Sequence, residues 1–158
     1  MYITLDEYTQ LYDATDEKAF ARNCAEACRI IDRYTTGADG FKKLKQAFPV
    51  DVDGAAAVKH CAARLINLLC QIEQTQTFGG YEATEQGIRG RVISSVSSGN
   101  ESVSYATNAV TAIEKAASDK TVKDAMITNI IRGGLSGIQD ANGVNLLYMG
   151  PYPRRYVC

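Results

Sequence analysis

Apolar residues recur along most of this chain at steps of three and four, and at steps of two in one stretch near residue 100. The first spacing marks one face of a helix and the second one face of a strand. Thr4-Leu5-Asp6-Glu7 reads as a capping box. The Thr4 hydroxyl is placed to accept from the Glu7 amide, and the Glu7 carboxylate to reach back, with Ile3 and Tyr8 set for a hydrophobic staple. A short helix over residues 5–12 follows. Thr15 or Asp16 is placed to cap a second, longer helix in which Phe20, Cys24, Ala27, Cys28, Ile31 and Tyr34 share one face. Arg22, Asn23, Glu26, Arg29 and Arg33 fall mostly elsewhere, and Gly37 and Gly40 are expected to end the helix. One or two further turns fit residues 41–48, before Pro49. Asp51 or Asp53 can cap a third helix running to about residue 74. It carries an apolar stripe of Val58, Cys61, Ala62, Leu65, Leu69 and Ile72, a second stripe begun by Ile66 and Cys70, and a narrow polar stripe of His60, Arg64, Asn67 and Gln71. A helix apolar over most of its girth is central and touches several neighbours.

Over residues 74–90 the pattern gives way to polar residues and glycine, which predicts a long loop. Residues 91–97 and 101–105 then alternate with period two, around Ser98-Gly99-Asn100, as a hairpin with Val92, Val96, Val103 and Tyr105 on one face. Two strands alone are marginal in water, so the hairpin needs a helix or a neighbouring subunit to lie against. Residues 108–117 carry a weaker helical pattern. Ser118-Asp119 caps a stronger one, with Val122, Met126, Ile127 and Ile130 facing inward and Gly133-Gly134 stopping it. The remainder, broken by Gly137, Gly143, Pro151 and Pro153, is not one helix and carries the apolar cluster Leu146-Leu147-Tyr148-Met149. The expected class is mainly α: a small bundle of four to five helices with one protruding β-hairpin.

A length of 158 residues suits one domain with a hydrophobic core, and 46% hydrophobic with 22% charged residues excludes wholesale disorder. The formal net charge of -1 lacks the basic excess of a protein held to nucleic acid through phosphates. Apolar runs are too short to cross a bilayer, and Met1-Tyr2-Ile3-Thr4-Leu5-Asp6-Glu7 lacks the layout of a signal peptide, so the expected compartment is the cytoplasm. Five cysteines, an odd number ending in Cys158, read as reduced thiols.

Candidate chemistry is sparse. Cys24 and Cys28, four apart on a helix, could reach one zinc ion, but the further ligands would have to be His60 and Cys61, which lie on different stripes of another helix. Packing as small apolar residues is the preferred reading for Cys24, Cys28, Cys61 and Cys70. His60 is the one histidine, so any Ser-His-Asp or Cys-His arrangement depends on it, and its expected place is a solvated helix face. Gly79-Gly80 and Gly133-Gly134 lack a P-loop lysine and its spacing, Gly87-Ile88-Arg89-Gly90 reads as a turn, and Asp51 and Asp53 read as helix-start residues. Arg89, Arg91 and the Arg154-Arg155 pair between Tyr152 and Tyr156 combine charge with aromatics as nucleic-acid readers do, although solvated arginines explain them more simply. No catalytic residue, cofactor or metal is expected. The tail Asn145-Leu146-Leu147-Tyr148-Met149-Gly150-Pro151-Tyr152-Pro153 is apolar, aromatic and stiffened by proline, which suits packing on its own domain or docking on a neighbouring subunit.

Taken in order, several segments resemble the head–tail connector (adaptor, or head-completion) proteins of tailed bacteriophages and prophages. They are the start Met1-Tyr2-Ile3-Thr4-Leu5-Asp6-Glu7-Tyr8, the helix Phe20 to Thr35 ending in Ile30-Ile31-Asp32-Arg33-Tyr34-Thr35, the alanine-rich stretch around Val58-Lys59-His60-Cys61-Ala62-Ala63, the segment Gly99-Asn100-Glu101-Ser102-Val103-Ser104-Tyr105, and Leu146-Leu147-Tyr148-Met149-Gly150. The likeness spans most of the chain. Extra residues over 133–143 and 75–90 depart from the family pattern. The resemblance implies a helical connector domain over 1–143, with its hairpin at about 91–105, and a docking tail over 144–158. It implies a non-enzymatic subunit that forms a ring with copies of itself, commonly twelve, beneath the portal protein. The ring would extend the DNA channel, let DNA pass without sequence-specific binding, and dock the next neck or tail-completion protein. Assembly would take place in the host bacterial cytoplasm and end at the virion neck, with no membrane involved. Interface residues expected on this basis are Leu146, Leu147, Tyr148 and Met149 in the tail, Val103 and Tyr105 in the hairpin, and Phe78 and Tyr81 in the loop. Another phage neck protein, or a small helical nucleic-acid-binding regulator, is the alternative.

Overall fold

The reciprocal hydrogen bonds of the capping box open the first helix, α1 (Leu5–Thr9). The Thr4 hydroxyl accepts from the Glu7 amide at 3.3 Å, and the Glu7 carboxylate accepts from the Thr4 amide at 2.9 Å. Ile3 and Tyr8 are both buried. Glu7 also takes the Lys59 ammonium at 2.5 Å, and that contact, with the Thr4 amide, holds its carboxyl below the usual carboxylate range. The computed structural model describes residues 1–12, 15–79, 83–84, 87–88, 95–98, 101–104 and 112–153, with side chains over 1–12, 15–76 and 112–153. Among the described residues the chain is mainly helical, with six α-helices.

Asp16 caps α2 (Glu17–Thr35), its carboxylate accepting from the Ala19 amide at 3.0 Å. Phe20, Cys24, Ala27 and Ile31 form the buried face expected from their spacing, while Cys28 and Tyr34, expected on the same face, are half-buried. Asn23, assigned to the polar side, is buried as well and donates to the Cys70 sulfur at 3.2 Å. The helix stops at Thr35, before either glycine. The Thr35 and Thr36 hydroxyls turn back to the Ile31 and Asp32 carbonyls at 2.9 and 2.6 Å, which occupies acceptors at the helix end. A single helical turn, α3 (Lys43–Gln46), lies between α2 and the long helix α4 (Val52–Gly79).

α4 spans 28 residues and supplies the centre of the core. Val58, Ala62, Ala63, Leu65 and Ile66 are wholly buried, and Cys61, Leu68, Leu69, Cys70 and Ile72 nearly so. His60, Arg64 and Gln71 are exposed and Asn67 is half-buried, as the narrow polar stripe requires. The expected end near residue 74 is too early: α4 continues to Gly79. Gln74-Thr75-Gln76-Thr77-Phe78 contains neither glycine nor proline, so nothing in it halts a helix already propagating. The Thr75 hydroxyl donates to the Gln71 carbonyl at 2.8 Å.

α5 (Ala112–Ser118) is followed by α6 (Lys120–Leu135), with the Asp119 carboxylate between them accepting from the Thr121 amide at 2.7 Å. α6 runs through Gly133-Gly134 rather than stopping there. A Cβ on Gly134 would stand 3.2 Å from Cβ and 3.3 Å from Sγ of Cys61, so this glycine permits a close approach of α6 to α4. The buried face of α6 is Ile127, Ile131 and Leu135, whereas Val122, Met126 and Ile130 are only half-buried.

The chain divides into two compact units, residues 1–70 with 124–158, and residues 71–123. The first holds the core just described, apart from Ile72. In the second, Ala116 is buried and the Gln76 side-chain amide donates to the Ala117 carbonyl at 2.9 Å. Its backbone also pairs antiparallel between β1 (Ala83–Thr84) and β2 (Gly87–Ile88), and between β3 (Ser95–Ser98) and β4 (Glu101–Ser104), where Val96 stands opposite Val103. Of the stretch expected to form the hairpin, Val92 and Tyr105 lie outside the described residues. Among the described residues, no helix is long and apolar enough to cross a membrane.

Candidate functional site

The tail is built from a turn that the sequence encodes locally. Asp140-Ala141-Asn142-Gly143 has an acidic residue at its head and a glycine at its close. The Asp140 carboxylate accepts from the Asn142 and Val144 amides, both at 2.9 Å, while the Asp140 amide donates to the Val144 carbonyl at 2.8 Å. Gly143 takes φ 78°, a conformation that suits glycine. Around this turn Gln139 and Asn145 form an antiparallel bridge, and the Leu146 amide donates to the Ile138 carbonyl at 2.9 Å.

Past the turn, the chain is bound mainly through its backbone. The Lys43 side chain is fully buried, and its amino group donates to the Leu146 carbonyl at 3.1 Å and to the Tyr148 carbonyl. It lies 5.9 Å from the centre of the Tyr148 ring. Burial pushes the Lys43 pKa down, and the charges of Asp140 and Asp39 pull the other way. The Asp39 carboxylate accepts from the Tyr152 amide at 3.2 Å, and the Ala38 amide donates to the Gly150 carbonyl at 3.2 Å. The Tyr152 ring stacks on Phe41 at 3.8 Å between centroids, and its hydroxyl donates to the second Asp140 oxygen at 2.6 Å. Gly37, expected to end α2, instead faces this segment: a Cβ there would stand 3.2 Å from the Gly150 carbonyl oxygen.

This arrangement sorts the expected interface residues. Leu146 is 0% exposed, so in this structure it is an interior anchor and presents no side chain to a partner. Leu147 is half-buried, whereas Tyr148 is 45% and Met149 58% exposed. Phe78 and Val103 have their backbones in α4 and β4, and their side chains lie outside the described residues, as do Tyr81, Tyr105, Arg89, Arg91, Arg154, Arg155 and Tyr156. Sequence reasoning missed Lys43, Asp39, Asp140 and Tyr152 as the groups that place the tail. The Asp-x-Asn-Gly turn was a usable signal for Asp140. Nothing in the spacing of Lys42-Lys43-Leu44-Lys45 marks Lys43 as the buried lysine.

Cys24, Cys28, Cys61 and Cys70 are free thiols. Cys24 points toward the Ile3 carbonyl at 3.9 Å, and Cys61 toward the Ile130 carbonyl at 4.0 Å. Among the described residues, no three His, Cys, Asp or Glu side chains are gathered as metal ligands. Burial pushes the Cys24 thiol up to about 11, helped by Cys28, and the Cys61 thiol up to about 12. Thiolate is the reactive form, so Cys61 in folded protein should resist a disulfide reagent at pH 8 and react once denaturant is added. Its modification in native buffer as fast as that of a small free thiol, followed by peptide mass mapping, would contradict this burial.

An open recess of about 340 Å³ lies between Met1-Tyr2 and the α2 side chains Cys28, Arg29 and Asp32, with Lys45 beside them. Its charges are already committed. Lys45 pairs with Asp32 at 3.2 Å, Arg29 with Glu26 at 2.5 Å, and the Tyr2 hydroxyl donates to Asp32. No family model, curated protein or solved structure matches this chain.

Proposed function

We propose that this chain is a structural, non-enzymatic subunit of a tailed-phage or prophage neck. In this reading it is a head–tail connector that closes into a ring beneath the portal, extends the DNA channel and receives the next neck or tail-completion protein. The observation that supports it most is the presentation of Tyr148 and Met149, large and exposed, on a segment whose backbone is pinned by Lys43 and Asp39. Apolar side chains held in a fixed position outside the core are suited to meeting another protein surface with little loss of entropy. A protruding hairpin over about 91–105 would give a second contact, and a head-to-tail ring would use both as unlike, closing faces.

The test is mass by light scattering, with the protein alone and then mixed with the portal protein encoded in the same genome. A ring, or a stoichiometric complex with the portal, is the expected result. A monomer that ignores the portal overturns the connector reading. Alanine at Tyr148 and Met149 together should weaken that association about tenfold or more, while far-ultraviolet circular dichroism stays unchanged.

A further inference from the structure

We infer that residues 145–152 are a releasable strap, latched to the first unit by the Lys43 amino group, and that opening this latch is the step that uncovers Leu146. The inference concerns the isolated chain and does not depend on what the assembled protein does.

The hold on the strap is polar and concentrated at few points. Lys43 reaches two of its carbonyls, Asp39 its Tyr152 amide, the Ala38 amide its Gly150 carbonyl, and Asp140 its Tyr152 hydroxyl. Only two of its side chains, Leu146 and Tyr152, are fully buried; Leu147 is half-buried, while Tyr148, Met149 and Pro151 face outward. α4 alone buries ten side chains over residues 58–72. A segment with few buried apolar contacts opens at a lower free energy than the core it rests on. A lysine is a telling choice of anchor. Taking an ammonium out of water is costly, and here its hydrogen bonds go to neutral carbonyls, with the Asp39 and Asp140 charges acting through space. The groups facing it are therefore Asp39 from the loop after α2, Asp140 from the tail turn, and the Tyr148 ring from the strap itself. This pairing is strong enough to close the strap and weak enough to leave it separable from the core.

Hydrogen exchange read by mass spectrometry on the full chain tests this, comparing wild type with Lys43→Met, which keeps an apolar stem and loses the donors. The expected result is exchange about tenfold or more faster at the amides of Leu146, Tyr148 and Tyr152, with protection in α2 and α4 unchanged. Unchanged exchange in the tail would remove Lys43 as the latch. Equal acceleration of tail, α2 and α4 would make the tail part of one cooperative core and overturn the strap. Should Lys43→Met fail to fold, native-state exchange of wild type in low urea decides instead. Tail amides that open with little urea dependence support the strap, and tail amides that exchange only through global unfolding refute it.

Discussion

Ile131→Ala is expected to lower the unfolding free energy by about 2–5 kcal/mol, the range for emptying a well-packed aliphatic site. Ile131 is 0% exposed, and it sits on α6 between two other buried residues, Ile127 and Leu135. One turn beyond it, Gly134 brings the α6 backbone against Cys61 of α4, so the surroundings have little freedom to collapse into the hole. Ile130 is the control. It is half-buried, and Ile130→Ala should cost clearly less than its neighbour. Urea denaturation followed at 222 nm measures both. A larger loss at Ile130 than at Ile131 would mean that α6 presents a different face to the core.

Removal of the Asp140 carboxylate should be the next most damaging change, at about 2–4 kcal/mol. That group is 5% exposed and accepts three hydrogen bonds, from the Asn142 and Val144 amides and the Tyr152 hydroxyl. Asp140→Ala leaves all three donors without it. The two amides belong to a turn that water can reach, which keeps the loss below three full desolvation penalties. The buried Tyr152 hydroxyl would still accept from the Asn142 side-chain amide, at 2.9 Å. The damage should be local. Near-ultraviolet dichroism, sensitive to Tyr152 stacked on Phe41, should fall while helical signal persists. Asp140→Asn, which retains one acceptor oxygen, should lie between. A wild-type thermal transition and tyrosine signal in Asp140→Ala would show that the turn does not organise the tail.

The helical class and most of the first unit were legible because local rules and burial agree there. Thr4 and Asp16 cap as their positions suggest, and Phe20, Cys24, Ala27 and Ile31 go inward at helical steps. The misreadings arise where one residue type serves two purposes. Glycine ends helices, yet Gly134 and Gly37 are small so that another segment can come close. A polar run suggests a loop, yet residues 74–78 contain no helix breaker and remain in α4. On α6 the apolar spacing singles out Val122, Met126, Ile127 and Ile130, while the buried line runs through Ile127, Ile131 and Leu135, four residues apart each time. The tail network was least legible. It joins Lys43 to Leu146 and Asp39 to Tyr152, pairs more than a hundred positions apart, and no local pattern encodes such contacts.

Most of the hydrogen bonds that hold the strap end on main-chain atoms: the carbonyls of Leu146, Tyr148 and Gly150, and the amide of Tyr152. Every residue type offers the same carbonyl, and all but proline the same amide. Positions 147 and 149 can therefore accept new side chains with little loosening of the segment that carries them, whereas Tyr148 also lays its ring 5.9 Å from the Lys43 amino group. The fold separates the scaffold of the tail from its lettering, so under the proposed docking role substitutions at these two sites would alter which surface it fits while the frame beneath stays the same. A library varied at 147 and 149 alone would test the proposed recognition on a constant backbone.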